Sequence, residues 1–486
     1  MFAPVPVDRL RSIFGSQNVL TAPEDLLTYS YDGTQVEYPP DAAVLASERD
    51  QIATLLRLAN ELRFPVIPRG AGTGLSGGAL PIRGGVALVL TRLNHILEVN
   101  TENLVAVLQP GVVTGHFQSE VEKLGLFYPP DPASLKTSTI GGNVAECAGG
   151  PRCLKYGTTK DYVLGLEVVL PSGEVTRTGG RVIKNVAGYN LTQLFVGSEG
   201  TLGVVTEITV RLIPRPKAKR TLKAVFDRIE QASQAVSDVL AAGILPAALE
   251  FMDQTTIRCV EAHLKAGLPV DAEAILVVDV DGEPAGLDGQ MTTLAEVVAR
   301  QGPSDLVAAR DAHESDELWA ARRAISSSLG RLRPNKIGED ISVPRSAVPV
   351  AIRRIQEIGR RHGLTIAIFG HAGDGNLHPN ILCDRRDQEE MARVHAAIAE
   401  IFELAIEVGG ALSGEHGIGL DKKEYLGKNV DPVALRLMRE LKGLLDPNGI
   451  LNPGKMFPSG PAESAGTVHR LGAPFGAVSP VAILGS

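Results

Sequence analysis

Glycine is gathered into loops in this chain, and the order of those loops constrains the fold more than any other feature. There are 52 glycines in 486 residues, about 11% against a usual ~7%. A short strand, Val66-Ile67-Pro68, runs directly into Arg69-Gly70-Ala71-Gly72-Thr73-Gly74-Leu75-Ser76-Gly77-Gly78. Such a junction can turn several backbone N–H groups onto one phosphate, because glycine allows positive φ and close approach. No Lys completes a G-x-x-x-x-G-K-[ST] loop, which excludes a kinase or ATPase, and Gly70-x-Gly72-x-Gly74 departs from the G-x-G-x-x-G fingerprint. Alone, the loop suits a structural turn as well as a phosphate site. Two more segments change the balance. Residues 131–143 end in Gly141-Gly142-Asn143 with Ala148-Gly149-Gly150 close behind, and residues 197–203 read GSEGTLG. Three such loops in one domain suit a long ligand held by backbone contacts, as a dinucleotide would be.

Composition narrows the class. Lys and Arg total 48 against 56 Asp and Glu, a net charge of -8, which argues against a duplex nucleic-acid binder with its basic face. No run of about 18 apolar residues occurs, so no transmembrane helix is expected. The N-terminus lacks the continuous apolar core of a secretory signal. The expected location is cytoplasmic, or peripheral at the inner membrane face through partners. Cys147, Cys153, Cys259 and Cys383 form no C-x-x-C pair, which speaks against a disulfide framework and against an iron–sulfur cluster.

The periodicity predicts two α+β domains. Residues 1–40 read as a helical lead-in, and 41–214 as a first domain with a helix at 49–62 and strands at 66–68, 86–90, 104–108, 162–170 and 204–212. Pro214 and Pro216 mark a boundary. From 215 to 457 strands are expected at 222–226, 248–252, 275–280 and 364–369, with helices at 229–242, 294–300, 348–362 and 432–445, a pattern of helices packed on a sheet. Residues 458–486 are rich in Gly, Pro, Ala and Ser and read as a tail.

The chemistry-bearing side chains fall in the second domain. Gly370-His371-Ala372-Gly373-Asp374-Gly375-Asn376-Leu377-His378 follows one expected strand and precedes another. With Asp374-Gly375 as a two-residue hairpin turn, His371 and His378 are expected directly opposite one another, Cβ atoms roughly 5 Å apart. Asn376 shares their face, available to a substrate. A third metal ligand must come from elsewhere, and residues 409–419, GGALSGEHGIG, offer Glu415 and His416. Two nitrogens and a carboxylate suit Zn, Mn, Fe or Co.

Segments 68–78, 131–150 and 199–206 resemble the flavin domain of the vanillyl-alcohol oxidase family. Within it, the chain is similar to the branch of glycolate oxidase D subunits and FAD-linked D-lactate dehydrogenases, from about residue 20 to Pro458. The fold this implies is an α+β two-domain flavoprotein, a PCMH-type FAD-binding domain followed by an FAD-linked oxidase C-terminal domain carrying substrate and metal. The resemblance places the pyrophosphate of FAD on Pro68, Arg69, Gly70, Ala71, Gly72, Thr73 and Gly74. The flavin and ribityl parts fall to Asp131, Pro132, Ser134, Thr137, Gly142, Glu146, Cys147, Ala148 and Gly149, then to Glu199, Gly200, Gly203, Val204 and Val205, and Asn452 is a further FAD-binding residue. Members with covalent FAD often carry a His in the first loop, where Ala71 and Thr73 stand here, and a small Cys such as Cys147 usually packs. Non-covalent FAD is therefore expected.

The same resemblance assigns a divalent metal (Zn, Mn or Fe) to His371, His378 and Glu415, and the role of base to His416. It points to Arg322, in Trp319-Ala320-Ala321-Arg322-Arg323, and to Lys336 for a substrate carboxylate. Glu339-Asp340 stays open between an acidic pair behind the site and a solvent face. The implied reaction is oxidation of a small 2-hydroxy acid, glycolate or D-lactate, by hydride transfer to flavin N5. Electrons would pass to an iron–sulfur subunit, a second flavin subunit or an electron-transferring flavoprotein. The alternatives are D-2-hydroxyglutarate as substrate, an alkyl-transferring synthase without net redox turnover, or a catalytically silent scaffold, which would have no need of both histidine motifs.

Overall fold

The computed structural model describes residues 2–459; the expected tail lies, beyond Ser459, outside the described residues. The helix Arg49–Leu62 buries Ile52, Leu55, Leu56 and Ala59. Glu48 and Gln51 close a capping box at its start, and a left-handed Arg63 ends it before Phe64-Pro65. It packs on a four-stranded sheet ordered Val19–Leu20, Ala42–Leu45, Val86–Val89 and Val66–Arg69. The last three strands run parallel. The segment before residue 40 contributes directly: Leu10 and Phe14 of helix Val7–Phe14 lie in this core, and Val19–Leu20 supplies an edge strand.

A second, antiparallel sheet follows, ordered Ile96–Asn100, Val105–Leu108, Val204–Arg211, Val163–Val169 and Val175–Gly179. The first glycine loop leaves the C-terminal end of Val66–Arg69, and the third enters Val204–Arg211. Both loops are thus anchored on buried strands.

The second half is built on one large antiparallel sheet, ordered Asp305–Ala308, Ala218–Phe226, Ala274–Gly282, Ala248–Asp253, Thr365–His371, Asn376–Cys383 and Asn335–Gly338. Helices Ile229–Ala241, Pro284–Ala299, Val348–His362 and Gln388–Glu407 cover one face. The other carries Gln254–Leu264, Ala312–Arg323 and Ile325–Leu329 over Met252, Ala367 and Leu382. His371 and His378 alternate onto this second face, as period-two side chains must. The helix expected at 294–300 starts ten residues earlier, at Pro284. Gly286 and Gly289 weaken its periodic signal, and the proline sits at its first turn, where its missing N–H costs nothing.

After the helix Pro432–Leu445 the chain returns to the first sheet. Val66 N–H donates to the Ile450 carbonyl at 2.8 Å, and Asn452 N–H to that of Val66 at 2.9 Å. The two halves also meet at Gly419, whose φ is +53°. A Cβ there would stand 2.1 Å from the Ser76 carbonyl oxygen. Gly419→Ala is therefore expected to lower the Tm by several degrees, reflecting roughly 2–3 kcal/mol of strain. Gly443→Ala, in an open helical position with nothing within 4 Å, should leave the Tm unchanged or raise it. Equal melting curves for the two variants would show that the junction at Gly419 relaxes freely.

Candidate functional site

The histidine hairpin has a wider turn than the sequence predicts. His371 pairs with Asn376, and His378 with Phe369. Ala372-Gly373-Asp374-Gly375 thus forms a four-residue loop, and the two histidines are diagonal rather than directly opposed. The loop is held by the His371 carbonyl, which accepts from Asp374 N–H at 3.2 Å and Gly375 N–H at 3.0 Å. Gly375 takes a φ of +87°, open to glycine at no steric cost. Both rings remain on one face, with centroids 5.2 Å apart, because the register differs from the expected one by two residues, an even step that keeps each side chain on its face.

Glu415 completes a triad. Its Oε1 lies 3.4 Å from His371 Nε2 and 3.3 Å from His378 Nε2. Ligands about 2.0–2.1 Å from a tetrahedral zinc-type ion stand about 3.3–3.4 Å from one another, so the three atoms are spaced closely enough to hold an ion. Asp340, His378 and His416 form a second close group, but Asp340 Oδ2 already accepts three backbone N–H groups and the Ser413 hydroxyl.

Two fully buried carboxylates stand behind the histidines. Glu250 accepts from His371 Nδ1 at 2.5 Å and from Arg322 Nε at 2.6 Å. Asp340 Oδ1 lies 4.0 Å from His378 Nδ1. Burial would depress the His371 imidazole, but Glu250 and Glu415 hold its pKa well above the ordinary histidine value. Burial would raise the Glu250 carboxyl, which His371 and Arg322 keep below its usual range. His416 has the opposite balance: burial pushes its pKa down to about 4, leaving a neutral imidazole at neutral pH. Its ring stacks on His378, centroids 5.3 Å apart.

His416 and Glu415 open onto a cleft of about 1370 Å³, counting the part open to solvent, whose other walls are the glycine loops. Pro68, Arg69, Gly70, Ala71, Gly72, Thr73 and Gly74 form one wall. Pro132, Ser134, Gly142, Glu146 and Ala148 form the second, and Glu199, Gly200, Gly203, Val204 and Val205 the third. Five expected residues do not line it. Asp131 is drawn to Arg152, accepting from its backbone N–H at 3.2 Å, and burial lifts its pKa to about 7. Thr137 is exposed. Cys147 ends the helix Ile140–Glu146 in the left-handed region, with Sγ 3.6 Å from the Thr158 hydroxyl. Gly149 makes room for Glu415, whose Oε2 would be 2.9 Å from an added Cβ. Asn452 is a strut, donating through Nδ2 to the Gly78 and Glu199 carbonyls at 3.0 and 2.8 Å.

The loops are shaped for a ligand rather than merely closed. A Cβ on Gly70 would meet Thr139 Oγ1 at 2.4 Å, so the backbone lies bare toward the cleft. Beneath it Arg69 donates Nη2 to the Tyr31 carbonyl at 2.7 Å, while its buried Nη1 has no partner among the described residues. The third loop is locked to the histidine motif. Glu199 accepts from the Ile418 and Gly419 N–H groups, each at 2.7 Å.

Of the two candidate cations, Arg322 stands beside the triad through Glu250, Lys336 lies further along the sheet, and neither is among the residues lining the cleft. Arg322 commits Nε and Nη2 to Glu250 and lies over the Phe369 ring at 4.8 Å. Its neighbour Arg323 turns away to Asp316. Lys336 is paired with Leu382, on the His378 face, and its Nζ donates to Ser326 Oγ at 2.6 Å. Asn376 uses both Nδ2 hydrogens, on Asp340 at 2.5 Å and on the Ile341 carbonyl at 3.0 Å. Its NH2 group is thus committed within the protein. Glu339 and Asp340 are buried, not solvent-facing. Glu250 was missed altogether: a single acid in an apolar strand carries no spacing signal.

Comparison with known proteins agrees with this architecture. The profile described as "FAD binding domain" matches residues 40–179, and "FAD linked oxidases, C-terminal domain" matches 215–456. The chain is 47% identical to "Glycolate oxidase subunit GlcD" of Bacillus subtilis (strain 168), over 93% of this chain and 96% of the relative. It is 37% identical to "D-lactate dehydrogenase" of Anaerostipes hadrus, over 86% and 89%. The crystal structure of p-cresol methylhydroxylase with substrate bound shares the fold, at a TM-score of 0.78 and 20% identity over 93% of this chain and 96% of that one.

Proposed function

The chain belongs to the FAD-linked oxidase family that includes the glycolate oxidase GlcD subunits, and on that footing we propose that it oxidises a small 2-hydroxy acid, glycolate or D-lactate, to the 2-oxo acid. One observation carries the reading: Glu415 and His416 of the C-terminal half line the same cleft as the glycine loops of the FAD-binding half. FAD, when bound, supplies the hydride acceptor. A divalent ion on His371, His378 and Glu415, when bound, supplies a positive charge that favours the alkoxide form of the substrate.

The chain's own residues do the rest. His416, neutral and at the cleft wall, accepts the hydroxyl proton at its imidazole. Arg322 offers the substrate carboxylate its remaining Nη1 edge, and Lys336 a second cation from the same sheet face. Glu250 holds Arg322 and His371 at a fixed separation. The cysteines form no metal-holding group among the described residues, so electrons leave through a separate acceptor. No helix among those residues is long and apolar enough to cross a membrane.

The test is anaerobic titration of the flavin spectrum with glycolate, D-lactate, L-lactate and D-2-hydroxyglutarate. Bleaching by glycolate or D-lactate is the expected result. Bleaching by D-2-hydroxyglutarate alone would move the substrate to a larger diacid, and a spectrum unmoved by all four would sink the dehydrogenase reading.

A further inference from the structure

Asp340 belongs to neither histidine motif, yet it touches both. It lies between the strands Asn335–Gly338 and Ile341–Ser342 and is completely buried. Its Oδ1 accepts from Asn376 Nδ2 of the hairpin at 2.5 Å. Its Oδ2 accepts from Ser413 Oγ at 2.5 Å and from the consecutive N–H groups of Gly414, Glu415 and His416 at 3.0, 3.1 and 3.0 Å. Three successive amides around one oxygen form an anion nest, here filled by a side chain of the protein itself. Lys422, also buried, donates to the Asp340 carbonyl at 2.8 Å and stands 3.5 Å from Oδ2.

We infer that Asp340 is the positioning residue of this site: one carboxylate ties the histidine hairpin to the G-E-H-G turn and thereby sets the His416 ring against the substrate. The inference rests on His416 being the base. Among the described residues no other acceptor takes the N–H groups of Gly414, Glu415 and His416. The turn is glycine-flanked, and Gly414 is so close that an added Cβ would be 2.2 Å from Asn376 Nδ2. An acceptor serving five donors at once must be a carboxylate. In Asp340→Asn an amide nitrogen would face either the nest or Asn376 Nδ2, donor against donor, and Lys422 would lose its counter-charge.

The experiment measures the anaerobic single-turnover rate of flavin bleaching in the FAD-loaded protein, against substrate concentration, for D340N, H416A and the double variant. D340N is expected to retain FAD and bleach about 100-fold more slowly at saturation, the scale of a roughly 1 Å misplacement, with half-saturation nearly unchanged. In the H416A background the same substitution should add nothing, because the two act as one unit. S413A removes one donor to Asp340, and with it the acceptor of the Gly417 N–H, without stranding a charge, and should slow bleaching at least about fivefold, the worth of one ordinary hydrogen bond; it carries the test if D340N does not fold. Wild-type rates in D340N, or in S413A where that variant carries the test, overturn the inference while leaving His416 as base. So do losses that multiply in the double variant. A wild-type rate in H416A overturns both.

Discussion

Replacing His416 by Ala is expected to leave a folded, yellow protein whose turnover with its 2-hydroxy acid falls by about 10²–10⁴-fold, the usual contribution of a positioned general base. The imidazole lies at the wall of the cleft, stacked on His378, and removing it takes no ligand from the triad of His371, His378 and Glu415. Its peptide N–H, bonded to Asp340, survives the substitution, so the turn itself keeps its anchor. Stability should change little, because the lost ring is partly open to the cleft and its loss leaves no buried charge unpaired. Stopped-flow reduction without oxygen, with the FAD content and Tm of the same preparation, checks the separation of rate from stability. Unimpaired reduction would remove His416 from the mechanism; loss of flavin would assign it to cofactor binding instead.

The site was legible in the sequence where the chemistry is written as short motifs. His371, His378, Glu415 and His416 come together because the first pair flanks a hairpin loop and the second sits in a glycine-rich loop after the helix Gln388–Glu407, and glycines let those backbones approach. The register of the hairpin was not legible. Asp374-Gly375 favours a two-residue turn locally, but the His371 carbonyl takes two N–H groups of a four-residue loop, and Gly375 fits beside the Val343 carbonyl with no space for a Cβ. Packing against a neighbouring strand decided the turn. The glycine loops foretold the cleft but not every wall: Asp131, Cys147 and Asn452 are held by protein groups at its edge, and no loop pattern distinguishes a lining residue from a strut. Asp340 and Glu250 lie outside any motif. Glu250 is a lone acid in an apolar strand and Asp340 half of an acidic pair that the sequence leaves open between site and solvent; their partners are 36 to 121 residues away in sequence, so only the folded sheet reveals what they do.

Glu250→Gln is the variant with the second large expected effect, and it tests how the two ends of the site are joined. Glu250 sits in a buried strand opposite His371. Its two oxygens divide between His371 Nδ1 and the Arg322 guanidinium, Nε and Nη2 both at 2.6 Å. A glutamine keeps one acceptor and replaces the other with a donor. Turned one way, its NH2 faces His371 Nδ1; turned the other, it faces Arg322, already a donor on every nitrogen. Arg322, whose side chain is 14% exposed, would also lose its only ion-pair partner among the described residues. Breaking a buried pair in this way typically costs about 3–5 kcal/mol, so the Tm should drop clearly. The carboxylate behind a metal-binding histidine fixes the ring and raises its basicity, and its loss weakens metal affinity about 10–100-fold. Zn²⁺ and Mn²⁺ titrations in competition with a chelator should show that weakening, and the KM for the hydroxy acid should rise as Arg322 loses its orientation. Unchanged metal affinity alongside a lowered Tm would leave Glu250 as a structural ion-pair partner of Arg322 and remove it from the support of the proposed metal ligands.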